Sequence, residues 1–84
     1  MIPQGWLIDP SGKCLLLFRK DPKSLQRLPK VFMDKWDTTP MRSPSIFRNR
    51  REVSLEPAIE TWDELTSNGW RKVDFKDDLI ASNL

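Results

Sequence analysis

One stretch of this chain, and one only, repeats its apolar residues with a helical period. Leu55, Ala58, Ile59, Trp62 and Leu65 fall at i, i+3, i+4, i+7 and i+10, a single stripe down one side of a helix. Ser54 stands ahead of it as an N-cap, Glu56 lies in the first turn, and Asn68-Gly69 supplies a left-handed stop. A helix with one apolar stripe needs a surface to lay it on. Many of the remaining apolar residues come in short runs bounded by Pro, Gly or Asp, at 6–8, 14–18 and 31–33, and 70–75 mixes apolar with charged residues. Such runs read as strands. The expected fold class is α+β: a small, mostly antiparallel sheet with one principal helix, 54–68, packed on one face through Trp62.

The sheet begins with an N-terminal hairpin. Asp9-Pro10-Ser11-Gly12 has the residues of a type I turn, and Gly12 suits the left-handed position that closes a bulged hairpin. Lys13 to Arg19 is the return strand. Asp21 to Leu28 is expected to form one or two helical turns, with Asp21 as N-cap and Pro22 at the first helical position. Lys30–Asp34 reads as a third, short strand. Asp37–Ser45, with its Thr, Ser and Pro residues, reads as a loop and the most mobile part of the chain. Ile46–Val53 reads as an edge strand, whose charges discourage unwanted pairing. Trp70–Phe75 is the last strand. Residues 1–75 make one small domain and 76–84 a C-terminal tail, in which Leu79-Ile80 could dock.

The composition excludes much chemistry. There is no histidine, one cysteine and three separated glycines. This removes His-based nucleophile arrangements, zinc fingers and glycine-rich phosphate loops. Glu60 and Glu64 share a helix face but make too thin a ligand set for a hard cation. No catalytic residue, metal or cofactor is expected. Cys14 lies in an apolar run and reads as a buried thiol. A lone cysteine, no secretory leader pattern at the N-terminus and no apolar run near 20 residues point to the cytoplasm and away from a membrane.

Four Trp and four Phe give a small core large aromatic side chains. Trp6, Trp62 and Trp70 are expected inside and Trp36, beside the loop, outside. Charge is uneven. Residues 1–51 hold eleven Lys/Arg against four Asp/Glu, net +7, and residues 52–84 hold three against eight, net −5. Either the two parts complement each other within the fold, through a basic edge paired with the acidic helix, or the basic part meets a partner. The candidate partner-binding residues are Trp36, Arg42, Phe47, Arg48, Arg50 and Arg51. Arginine and exposed aromatics are hot-spot residues of protein interfaces, so the favoured partner is a larger protein with an acidic patch. The alternative is a nucleic acid on the Arg42–Arg51 stretch. Only Phe47 lies within that stretch, and the acidic helix would repel phosphates if it flanked the same face. Both points favour protein.

The order of motifs is itself informative. Gly5-Trp6-Leu7-Ile8-Asp9-Pro10-Ser11-Gly12-Lys13, Leu17-Phe18, Asp21-Pro22 and Pro29-Lys30-Val31-Phe32-Met33-Asp34 are followed by Arg50-Arg51-Glu52, Ala58-Ile59-Glu60-Thr61-Trp62-Asp63-Glu64-Leu65 and Gly69-Trp70. Over residues 5–75 this resembles a family of small proteins of unassigned function from marine picocyanobacteria and their phages. The resemblance implies a source and a compartment, and no catalytic motif. Small many-copy proteins of streamlined genomes are often regulators that tune an enzyme or complex under nutrient or light stress. By that analogy it implies a non-catalytic regulatory role.

Overall fold

The computed structural model of the protein describes residues 3–75. Five strands form one antiparallel sheet: β1 (Gly5–Ile8), β2 (Cys14–Lys20), β3 (Lys30–Thr38), β4 (Pro44–Ser54) and β5 (Arg71–Val73). Helix α1 (Leu55–Ser67) follows β4 without a loop. The spatial order is β4-β3-β2-β1-β5. The first four strands are thus a meander, and the helix carries the chain from one edge of the sheet to the other. The α+β architecture is the one the helix stripe and short apolar runs predict.

The hairpin forms as expected. Gly12 N–H donates to the Asp9 carbonyl at 3.0 Å, and Gly12 takes φ +76°, where a side chain would be strained. The helix stop is also the expected one, in a fuller form. Trp70 N–H donates to Leu65 O and Gly69 N–H to Thr66 O, with Gly69 at φ +96°, which is a Schellman motif. At the other end Ser54 occupies the N-cap position, but its side chain makes no capping hydrogen bond.

Three expectations are corrected. Asp21–Leu28 is not helical; it is a turn-rich excursion with a single bridge between Leu25 and Leu28. Asp21 still caps, accepting from Lys23 N–H at 2.9 Å, but too few residues follow before Pro29 to repay helix nucleation. Strand β3 runs to Thr38, well past Asp34. Both ends of the expected loop 37–45 are therefore strand, 37–38 in β3 and 44–45 in β4. What remains is a tight turn, in which Arg42 N–H donates to Thr39 O and Thr39 N–H to Ser43 O, both at 2.8 Å. Arg42 sits at φ +64°, the position Gly12 fills in the first hairpin. A non-glycine there hides the turn from a reading that looks for Gly. The Leu79-Ile80 segment lies outside the described residues.

Strand alternation sorts the side chains onto two faces. Leu7, Phe18, Val31 and Met33 point to the helix side and join Ala58 in one buried cluster, with Leu16, Val53, Leu55, Trp62, Leu65 and Trp70 packed around it. Trp62 meets Phe18 edge-on at 5.1 Å, the helix-on-sheet contact the stripe predicts. Ile8 and Leu15 are on the other face and are also buried, at 1% and 0% exposure. Cys14 is half-buried, and burial pushes its thiol above the ordinary range.

Two outcomes follow from this packing. Phe18→Ala should cost about 3–5 kcal/mol and lower Tm by more than about 10 °C, as read by thermal unfolding. A smaller loss would remove Phe18 from the centre of the core. Burial pushes the Asp9 carboxyl up, but hydrogen bonds from Ser11 and from the amides of Cys14, Lys13 and Ser11 outweigh it and leave it below its ordinary 3.8. Folding therefore favours the ionised form. Its contribution is complete above the ordinary value and is lost as pH falls through the lower folded value. Asp9→Asn should flatten the fall of the urea midpoint below about pH 4; an unchanged acid limb would show that Asp9 does not shape it.

Candidate functional site

The face opposite the helix carries the chain's unusual chemistry. Among the described residues no helix or strand covers it. Trp6 on β1, Trp36 on β3 and Phe47 on β4 all point to it, and Phe75 joins them just after β5. Their rings meet edge-on in a row: Phe75 to Trp6 at 5.2 Å, Trp6 to Trp36 at 6.1 Å, and Trp36 to Phe47 at 5.4 Å. The row crosses nearly the full width of the sheet.

A register irregularity makes the row possible. On the side near Ser54 the partners run regularly, Phe32 with Glu52 and Asp34 with Arg50, as far as Lys35 with Asn49. Then Trp36 pairs with Phe47, so that β4 gains one residue. This is a β-bulge. It brings Phe47 and Arg50, an odd and an even position, to the same face. Without it Phe47 would point to the helix side.

Beside the aromatic row lies a charged group. Asp34 is buried, its side chain 3% exposed, yet it sits on this face. Arg50 grips it with two hydrogen bonds, Nε to Oδ1 at 2.7 Å and Nη2 to Oδ2 at 3.0 Å. Arg19, from β2, approaches Oδ2 through Nε at 3.5 Å. Both guanidinium groups also lie over the Phe32 ring, at 4.9 Å for Arg19 and 4.7 Å for Arg50, and Arg50 is within 5.9 Å of Phe47. Such contacts combine charge with ring attraction. The hydrogen bond to Asp34 raises the Arg50 pKa further above its ordinary value.

The six sequence-derived candidates do not form one patch. Trp36, Phe47 and Arg50 come together on the open face. Arg48, displaced by the bulge, turns to the other side and binds Asp37 through Nε at 2.7 Å and through Nη2. That hydrogen bond holds the Asp37 carboxyl below its ordinary range. Arg51, opposite Met33, also points away from the open face. Arg42 is the turn residue, packed beside Gly12. Trp36 is half-buried rather than outside, because its ring leans on Trp6 and Phe47, and its indole Nε1–H is buried without a partner. Trp6, expected in the core, belongs to this face. Arg19, Phe32 and Asp34 were missed. Each lies outside the basic stretch, and the available signal was the alternation of polar and aromatic residues in β2 and β3, legible only once the register is known.

The acidic half does not supply the partners of these arginines. Asp34 and Asp37, both from β3, do so, while α1 is on the opposite side of the sheet. Among the described residues no three His, Cys, Asp or Glu side chains gather to hold a metal ion. A cleft of about 730 Å³ lies between the 27–30 segment and the start of α1, lined by Arg27, Leu28, Lys30, Ser54, Leu55 and Glu56 among others. Leu25 and Leu28 are exposed beside it.

The two arginine–aspartate pairs differ in burial, and so should their deletion. Asp34 is 3% exposed and Asp37 34%. Arg50→Ala strands a buried carboxylate, whereas Arg48→Ala leaves Asp37 in water. Urea unfolding should show a clear loss for Arg50→Ala and little change for Arg48→Ala. Equal losses would contradict this ranking.

No described helix is long and apolar enough to cross a membrane. Comparison with curated proteins and with solved structures finds no significant match. A family model described as "Protein of unknown function (DUF1651)" matches residues 4–76. With nearly the whole chain matched, including all five strands and the helix, the protein belongs to the DUF1651 family.

Proposed function

We propose that this chain is a non-catalytic binding module whose open sheet face engages a larger protein and regulates it. The observation that carries the reading is the aromatic row from Phe75 to Phe47, flanked by Arg50 and Arg19. Aromatic side chains and arginine are the residues that dominate protein interfaces. All but Phe75 sit on strands of the sheet, so little ordering entropy opposes binding. The regulatory part, a site of action in the cytoplasm and a role under nutrient or light stress rest on the resemblance to picocyanobacterial and cyanophage proteins and on the lone cysteine.

A second reading, single-stranded nucleic acid, is favoured by the same row. Stacking aromatics on one sheet face are what single-strand readers use, and α1 is too far round to repel phosphates there. Charge supports the protein reading. Arg50 and Arg48 are each engaged by an aspartate, and Arg51 points away from the row. The basic stretch therefore offers the open face few free cations to release counterions from a phosphate backbone.

Two measurements test this. Fluorescence anisotropy with a labelled single-stranded oligonucleotide should show weak binding with a shallow salt slope, near one phosphate's worth or about −0.7. Tight binding with a slope near −2 or steeper, lost in an Arg48, Arg50, Arg51 triple-Ala variant, would establish the second reading instead. In affinity capture from nuclease-treated lysate, Phe47→Ala should lose the partner protein and Glu60→Ala, on the helix, should keep it. The reverse pattern would move the interface to the helix face.

A further inference from the structure

The arginine pair is more than Asp34 requires. One bidentate arginine neutralises a buried carboxylate, and Arg50 does so with two good hydrogen bonds. Arg19 is surplus. It touches the same oxygen at 3.5 Å through Nε alone, and its two terminal nitrogens have no partner among the described residues, nor has Nη1 of Arg50. Two guanidinium groups over one Phe32 ring and one carboxylate leave a net charge of about +1 on an aromatic surface. Of the two nearby acids, Asp21 lies within the field of Arg19 but forms no ion pair with it among the described residues. Glu52, across the strand from Phe32, makes no ion pair with either arginine. Its carboxyl neighbours that of Asp21, which pushes the Glu52 carboxyl up while the Asp21 carboxyl is lowered.

We propose that Arg19 and Arg50, held by buried Asp34 over Phe32, are a receptor for one carboxylate side chain of the protein partner, whose neighbouring apolar residues lie on Trp36 and Phe47. This rests on the protein-binding reading above and names its anchor. A carboxylate is planar and matches the paired N–H groups of a guanidinium fork. Asp34 fixes Arg50 before binding, and Phe32 supports both planes, so the donors are preorganised. The half-exposed arginines, about 40% and 44%, are open to solvent on the side away from Asp34. Closing an apolar partner over them would leave the surplus charge buried unless an anion came with it. The partner's acid is therefore selected as well as tolerated.

The experiment uses the full chain, immobilised, against a random peptide library displayed on phage, and then against a labelled single-stranded oligonucleotide. Peptides chosen by the wild type should share an Asp or Glu beside apolar or aromatic residues. Arg19→Gln, the milder change because its contact with Asp34 is long, should weaken a chosen peptide about tenfold or more. It should do so without altering the near-UV circular dichroism. Arg50→Lys, which keeps the charge but loses the fork, should also weaken it. In parallel, Phe47→Ala should weaken binding while keeping the acidic preference. Apolar peptides with no acidic residue, or acidic peptides indifferent to Arg19→Gln, would overturn the receptor and leave the protein-binding reading standing. No selected peptide, or binding of the oligonucleotide in its place, would overturn both.

Discussion

The central strand is buried on both faces, and the rest of the structure depends on that. Phe18 on β2 is sealed by the helix, and Leu15, three residues earlier, is sealed on the opposite side. A sheet of this size ordinarily covers one face and leaves the other to water. Here the second face has its own apolar floor, Ile8 and Leu15, under the edges of aromatic rings. Seven apolar side chains are buried among the described residues, and two of them belong to the face without a helix. The aromatic row is thus part of the packing and part of the exposed surface at once. Trp36 in β3 is paired in register with Leu15, and its neighbour Phe47 is still 46% exposed.

How much of this was legible in the sequence follows from which features are local. The first hairpin, the helix and its stop depend on residues within a few positions of one another, and Gly12, Trp62 and Gly69 announced them. The turn at 39–43 was hidden because Arg42 takes a backbone conformation that usually advertises itself through glycine. The 21–28 segment misled because Asp21 and Pro22 are good openers for a helix that tertiary structure never continues. The open face was legible only in part: Trp36, Phe47 and Arg50 were named, but not the row that joins them to Trp6. Trp6, Trp36 and Phe47 are separated by up to 41 positions, and their meeting depends on strand order and on one extra residue in β4. Periodicity carries no information about a bulge between Lys35 and Trp36.

The charge asymmetry shows why a sum over the chain is a poor guide to a surface. A basic first half and an acidic second half suggested that one neutralises the other. The structure pairs the arginines of β4 with aspartates of its neighbour β3, both within the basic half. Cross-strand neighbours are closer than any helix side chain can be. The acidic face of α1 is left to solvent on the far side of the sheet, with Glu60, Asp63 and Glu64 exposed. The molecule is consequently two-sided: acidic over the helix, aromatic and weakly basic over the open face.

That two-sidedness bears on how a partner would be chosen. Long-range attraction acts on net charge and is screened within about 8–10 Å at physiological salt. A weakly basic face gains little from it, so encounter would be only modestly steered. Discrimination must then come at contact, from shape and from the few polar groups that need a match. Buried Asp34 is the stiffest of these. It cannot leave its arginines without exposing an unpaired charge to an apolar surrounding, so the orientation of Arg50 is fixed whether or not anything is bound. On the proposed reading, an aromatic surface that is permissive elsewhere would become selective at the one place where its geometry cannot adjust.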